Sequence, residues 1–380
     1  LLKLKFTDDF LNRLISRGLS TEGDRHLKNQ PHLPNISRLM CTNFALFSTG
    51  KSSTYAITAR AMEFTGSLGT QIQITPQGQS FPVAALTPPT NALTWKNKYG
   101  YIGMTGGGDG FSASTDGLNE KGLSVGLLWL PGSEYPPSQA ATNPIIYNAV
   151  LGDWILGNCD SVASLKTALA TITVINISEL DPNAFFPLHY IVSDNTGANL
   201  IIEFVNGQMQ TYEADNGVMT NAPPYPYQTA NLSNYVNLSL KNNPQNWWGQ
   251  ELNGSGCLGI PGDYTPPSRF VRATMLQQSA ENYNPKNTQE AIGLAARILT
   301  SFGIPMGAQV EPNTGALGDY TLWGVVRDHK DLVYYFYTTF NNNLSAIDLK
   351  KLDFSQGQMT LKPLLQPTWS IDLTASLINA

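Results

Sequence analysis

An α+β fold in which two β-sheets stack between layers of helices is what this sequence predicts, and three observations carry the prediction. From residue 41 onward, strand-patterned runs come in sets joined by turn residues, as in antiparallel sheets. Helix-patterned stretches cluster between those sets, which suits helices packed on the outer faces of stacked sheets. The chain has 380 residues, 42% of them hydrophobic and 13% charged, enough for a large core, and no repeat or linker divides it.

The first forty residues hold a short amphipathic helix with marked ends: Thr7 as N-cap, Asp8 and Asp9 in the first turn, Phe10, Leu11, Leu14 and Ile15 on one face, and Gly18 as the stop. This stretch lacks the continuous apolar region and small-residue cleavage site of a secretory signal. Runs 42–47 and 55–61 read as strands around a hairpin loop at 48–53 that holds Gly50, so Cys41 stands at a strand edge with the returning strand beside it. Gly106-Gly107-Gly108 and Asp109-Gly110 read as a tight turn between strands, because no Gly-Lys-Ser/Thr follows to make a phosphate loop. Residues 124–130 are another strand, closed by Pro131-Gly132.

Helical spacing follows at 144–156 and 162–169. A meander of strands at 189–193, 199–205 and 208–213 is punctuated by Asn195-Thr196-Gly197 and Asn206-Gly207. The stretch 222–267 is rich in Pro, Asn and Gly, with Trp247 and Trp248 side by side, and a loop this long inside a compact domain is functional or meets a partner. A helix over 288–302 places Ile292, Ala295, Ala296 and Leu299 on one face, and the last strands run through 321–327 and 332–340 around a turn at 328–331.

Composition narrows the function. A net charge of −5 without a basic stripe argues against nucleic acid as a partner, and no apolar run approaches the ~20 residues of a membrane span. Three cysteines, Cys41, Cys159 and Cys257, show no CxxC spacing, so neither a disulfide framework nor a zinc site is expected. Were Cys159 and Cys257 bridged, Cys41 would still be free. His189 and His329 have no partner at ligand spacing and read as structural, so no metal and no cofactor is assigned.

Cys41 carries the chemistry if it becomes the first residue of the chain. It then owns an α-amine, whose reference pKa of about 7.7–8.0 lies close to the thiol's at about 8.5, so nucleophile and base sit on one residue. With Met40 attached that nitrogen is an amide and cannot serve. On residue type alone, Cys41 is one more small buried thiol. Its surroundings point elsewhere. Residues 41–64, CTNFALFSTGKSSTYAITARAMEF, resemble the start of a mature choloylglycine hydrolase, the family of N-terminal-nucleophile cysteine amidases that holds penicillin V acylases and bile salt hydrolases. The segments TDGLNEKGLSVGLLWLPG (115–132), VMTNAPPYPYQ (218–228), PGDYTPPSRFVRA (261–273) and YTLWGVVRD (320–328) keep the family's order. The resemblance covers nearly everything from Cys41 onward. Its motifs are specific together and weak singly.

The resemblance implies a four-layer αββα sandwich forming a single catalytic domain over 41–380. Residues 1–40 are then either a propeptide or sequence upstream of a start at Met40; both leave Cys41 first. It implies a hydrolase of linear amide bonds of the penicillin V acylase type, with N-acyl homoserine lactones as further candidates. A conjugated bile salt hydrolase and a non-catalytic ligand-binding relative are the alternatives. The implied partner is a small-molecule amide with an apolar acyl group, and the implied assembly a homo-oligomer, a tetramer. The compartment stays open between export or the periplasm and, with a start at Met40, the cytoplasm.

Among single residues, Arg60 is a permanent cation on the strand returning past Cys41, placed to favour the thiolate, and the matching family arginine lies beside the nucleophile. Glu63 matches a position where the best-known members carry Asp to orient the N-terminal amine, so the carboxylate is kept one methylene further out. Asn221, before Pro223-Pro224 and in the VMTN context, matches the family's oxyanion-hole asparagine. Arg269 matches an arginine near the nucleophile. Trp129 departs from the Asn of bile salt hydrolases and the Tyr of Gram-positive penicillin V acylases, and in LLWLPG it resembles the penicillin V acylase subgroup of Gram-negative bacteria. Phe64 stands where that subgroup often has a second Trp. Together Trp129 and Phe64 are expected as aromatic walls for an acyl group.

Overall fold

The computed structural model of this chain describes residues 40–47, 54–82, 86–88, 90–106, 113–180, 182, 185–242, 245–247, 249–252, 254–312, 314–355, 357–374 and 377. The expected leader helix, the 48–53 loop, residues 107–112 of the glycine turn and Trp248 lie outside them.

The main strands follow one another as β1 (Met40–Phe47), β2 (Ala56–Phe64), β3 (Gln71–Thr75), β4 (Tyr101–Thr105), β5 (Ser114–Asn119), β6 (Ser124–Trp129), β7 (Leu188–Ser193), β8 (Asn199–Val205), β9 (Gln208–Glu213), β10 (Tyr320–Asp328), β11 (Val333–Thr338), β12 (Asn341–Asp348) and β13 (Thr360–Pro363). They form a five-stranded sheet in the order β1-β2-β10-β11-β12 and an eight-stranded sheet in the order β9-β8-β7-β6-β5-β4-β3-β13. The helices that cover the sheets are α1 (Leu151–Asn158), α2 (Val162–Leu169), α4 (Pro266–Gln277) and α5 (Thr288–Thr300), with the short α3 (Tyr225–Asn231) between the second and third of these.

Period-two alternation along the strands explains the layering. Met62, Ile102, Leu128, Ile191 and Val325 face one another between the two sheets. Ile57, Ala59 and Ala61, on the opposite face of β2, pack against Phe270, Ala291, Ala295 and Leu299 of α4 and α5. Val125, Leu127 and Leu200 pack outward from the eight-stranded sheet onto Leu151, Ile155 and Leu165 of α1 and α2. The result is helix, sheet, sheet, helix, as expected. Small alanines on both sides of the β2–α5 contact let the helix approach closely, and burying such faces stabilises by roughly 25 cal/mol per Å² of apolar surface. Among the described residues no helix is long and apolar enough to cross a membrane.

Several expected elements appear with their expected bounds. The helix over 162–169 is α2, started by a capping box in which the Ser161 side chain accepts from the Ser164 N–H. The Asn206-Gly207 turn joins β8 and β9, both residues at positive φ (52° and 70°), which asparagine and glycine tolerate. Others need correction. The helix expected over 144–156 begins only at Leu151: Ile145–Tyr147 is a strand parallel to Thr173–Ile175, because two isoleucines and a tyrosine suit a pleated, buried run better than a helix start. The stretch 222–267 is not one long loop. It contains α3 and a hairpin of Gln245–Trp247 with Gln250–Leu252, and prolines at its helix starts hid the helical signal.

Candidate active site

Cys41 lies on β1, the edge strand, paired with Met62 of β2; Asn43 pairs with Arg60. The shared face of β1 and β2 therefore carries Cys41, Met62 and Arg60 into the inter-sheet layer, where Cys41 is 1% exposed. The thiol donates to Met62 Sδ at 3.6 Å and accepts from Arg60 Nη2 at 3.5 Å. Gly126 on β6 leaves room for this arginine, since a Cβ there would stand 3.2 Å from Arg60 Cδ.

Arg60 is held from the opposite sheet. Its Nη1 donates to Thr115 O at 2.7 Å and to Asp116 Oδ2 at 3.0 Å, and its Nη2 donates to the Leu127 carbonyl. Asp116 also accepts from Arg327 Nε (2.9 Å) and Nη2 (2.6 Å) and from the Tyr334 hydroxyl (2.8 Å). Neither Asp116 nor Arg327 was singled out in the sequence, although both lie in quoted motifs, TDGLNEKG and YTLWGVVRD. Two arginines far apart in the chain and one aspartate give no spacing signal until the sheets stack.

The free edge of β1 is covered at Asn43, whose N–H and C=O bond the backbone of Met219. Continuing that antiparallel register by two residues sets Asn221 opposite Cys41. Asn221 Oδ1 accepts from the Cys41 N–H at 2.8 Å and from Arg269 Nη2 at 2.7 Å, while its Nδ2 donates to Trp129 O at 2.8 Å. A carboxamide nitrogen has a second N–H to give. Arg269, in the first turns of α4, also donates to the Cys41 carbonyl and to Thr42 Oγ1. Four of the expected residues thus meet in direct contact: Cys41, Arg60, Asn221 and Arg269.

Glu63 stands on the other face of β2, opposite Met40 and Thr321 in register. It is fully buried; one oxygen accepts from Thr321 Oγ1 at 3.2 Å and the other has no partner among the described residues. Burial pushes its carboxyl up to about 8, with Arg269 pulling the other way. Trp129 reaches the site through its carbonyl oxygen, while its ring packs edge-on against Phe186, centroids 6.3 Å apart. Phe64 is half-buried at the end of β2.

The electrostatics qualify one expectation. Arg60 does pull the thiol of Cys41 toward ionisation, but burial pushes it up more strongly, and Glu63 adds to that. A fully desolvated thiolate costs more than one guanidinium at 3.5 Å returns, so with Met40 attached the site holds a thiol. With Met40 as the first residue of β1, the Cys41 nitrogen is an amide.

The histidines read as structural are both buried and bonded. His329 joins Thr58 Oγ1 and Gly122 O, and His189 joins Glu203 and Thr220 O.

Comparison with known proteins agrees with this geometry. The family profile described as linear amide C–N hydrolases, choloylglycine hydrolase family, matches residues 41–361. A bile salt hydrolase/transferase of Clostridium perfringens is 33% identical over 276 residues, 69% of this chain and 80% of that protein. A penicillin V acylase of Pectobacterium atrosepticum is 30% identical over 351 residues, 87% of each. Among solved structures, a variant of the conjugated bile acid hydrolase of Clostridium perfringens superposes with a TM-score of 0.74 at 26% identity, covering 88% of this chain and 100% of that one. Penicillin V acylase from Agrobacterium tumefaciens superposes with a TM-score of 0.69 at 26% identity, covering 85% and 92%. With a match that spans the strands, the helices and every residue converging on Cys41, this chain belongs to the choloylglycine hydrolase family of linear amide C–N hydrolases.

Proposed function

We propose that Cys41, once it is the first residue of the chain, is the nucleophile that cleaves linear amides carrying an apolar acyl group. The carrying observation is convergence: Arg60 on the thiol, Asn221 on the nitrogen and Arg269 on the carbonyl meet at one cysteine from three separate stretches of chain. The α-amine takes the thiol proton as Sγ attacks the amide carbon, and Asn221 donates its remaining Nδ2–H to the developing oxyanion. Collapse breaks the C–N bond, with the proton passing from the α-ammonium to the leaving amine, and a thioester remains. Water, deprotonated by the same α-amine, attacks the thioester; the acid leaves and Cys41 is regenerated. Arg60 steadies the sulfur, Arg269 holds Asn221 and the Cys41 backbone, and Glu63 orients the new α-ammonium.

Residues 1–40 are in this reading the segment whose absence makes the amine, and 41–380 the catalytic domain. The test is intact mass beside activity. Active protein begins Cys-Thr-Asn-Phe, and protein retaining Met40 is inert even when folded. If processing is intramolecular, Cys41→Ala also retains residues 1–40. Full activity in a chain that keeps Met40 overturns the mechanism.

For the substrate, the aromatic residues Trp129 and Phe64 support phenoxyacetyl-type or long-chain acyl amides. The relative named for bile salts, at 33% identity, supports conjugated bile salts as the second reading. A panel of the three classes on processed enzyme separates them. A homotetramer is the assembly the family resemblance implies, and native mass tests it.

A further inference from the structure

We infer that His189 and Glu203 form a buried pair that positions Asn221 by stapling both ends of the segment that carries it. His189 on β7 and Glu203 on β8 are 1% and 0% exposed, and each shares the inter-sheet face of its strand with an apolar neighbour, Ile191 and Ile201. His189 Nδ1 meets Glu203 Oε1 at 3.1 Å, and its Nε2 meets the carbonyl of Thr220 at 3.0 Å. The Tyr225 N–H donates to both oxygens of Glu203, at 3.0 Å each. The pair therefore grips the chain immediately before Asn221 and again four residues after it.

That grip adds to the hold of Gln228, whose Nε2 donates to the carbonyls of Asn221 and Pro223 at 3.1 Å each. Pro223 and Pro224 have no N–H, so between Asn221 and Tyr225 the backbone offers few donors with which to anchor itself. A backbone carbonyl only accepts, so Nε2 donates to Thr220, and the other ring nitrogen faces a carboxylate oxygen that already receives Tyr225. The ring is thereby held between the Thr220 carbonyl and Glu203. Neither side chain hydrogen-bonds Cys41. Their role is to fix where the carboxamide of Asn221 sits relative to the thiol, and an oxyanion donor acts only from a fixed position. This inference rests on the proposed role of Asn221.

The test is a double-mutant cycle on processed enzyme, with a phenoxyacetyl amide as the probe. His189→Gln is expected to lower kcat by about tenfold with KM within about twofold, since a displaced donor weakens transition-state binding more than ground-state binding. In an Asn221→Ala background the same substitution is expected to cost nothing further, because the donor it positions is gone. Glu203→Gln, which keeps an acceptor for Tyr225 but not the charge, is expected to show the same pattern with a smaller loss, and it carries the decision if His189→Gln does not fold. An unchanged kcat in the folded variants, or an equal loss with and without Asn221, overturns the inference while leaving Asn221 as the donor. If Asn221→Ala itself leaves kcat unchanged, the donor assignment fails and the positioning role falls with it.

Discussion

The two faces of β2 bury charge in opposite ways. On the inter-sheet face, each oxygen of Asp116 accepts two hydrogen bonds, from Arg327 and Tyr334 on one and from Arg60 and Arg327 on the other. On the helix face, among the described residues, Glu63 bonds only Thr321 through one oxygen and nothing through the other, and the nearby buried hydroxyl of Tyr337 is also unpartnered. A saturated carboxylate holds its neighbours in one geometry, which suits the face that carries the thiol. A carboxylate with an idle oxygen retains its proton more tightly and stays open to a new donor, and Glu63 lies opposite Met40, where the chain must be cut for an amine to exist.

Stability should expose this difference most. Asp116→Ala is expected to destabilise by about 3–5 kcal/mol, because it strands two buried guanidinium groups, whereas Glu63→Gln near pH 6 is expected to cost less than about 1 kcal/mol. Denaturant unfolding of both variants checks it. Equal losses would break the comparison.

Activity sharpens the same contrast. Asn221→Ala, removing a group in contact with Cys41, is expected to lower kcat by about 100–1000-fold. Trp129→Ala keeps the carbonyl that Asn221 uses, so its loss should fall on kcat/KM for apolar acyl amides, by about 10–200-fold, and much less on short polar ones. Steady-state kinetics on the panel measures both. A preference for acetyl over phenoxyacetyl or long acyl amides would sink the role given to Trp129 and Phe64.

The pH dependence separates the two faces by sign. In the chain retaining Met40, Glu63 titrates at about 8 against an ordinary 4.5, so the folded state keeps a proton that the unfolded chain releases. That contribution is fully present below pH 4.5 and is lost as pH rises through about 8. On the inter-sheet side, His329 is lowered to about 4 from 6.5, chiefly by burial. Its Nδ1–H donates to Gly122 O and its Nε2 accepts from Thr58, which fixes the neutral ring. Its contribution is present above pH 6.5 and is lost as pH falls through about 4. Unfolding measured from pH 4 to 9 should therefore fall at both ends, with Glu63→Gln flattening the alkaline limb and His329→Gln the acid one. A limb unmoved by its own substitution would remove that residue from the comparison.

Much of this site was legible in advance because it is local. Cys41 and Arg60 lie on strands that follow one another in sequence, and antiparallel pairing with a period of two places them on one face whatever the rest of the chain does. The meander from β7 to β9 was legible for the same reason, as was α2 with its serine cap. The helix misread at 144–156 shows the limit: a short apolar run has no periodicity to separate strand from helix, and only its partner strand at Thr173–Ile175 decides.

By itself the sequence determined the antiparallel strands, the helices between them, and a cysteine whose neighbours in the chain suit amide chemistry. It also held the motifs containing Asp116, Asn221, Arg269 and Arg327. Only the tertiary structure decided that Asn221 and Arg269, 180 and 228 residues from Cys41, touch its backbone, and that Asp116 ties the two arginines together beneath the thiol. It also decided that burial outweighs Arg60 at the sulfur and that one oxygen of Glu63 has no partner among the described residues. The physical reason is range: turn chemistry and side-chain alternation act over a few residues, whereas desolvation and the sharing of buried charge depend on which layers the whole chain stacks together.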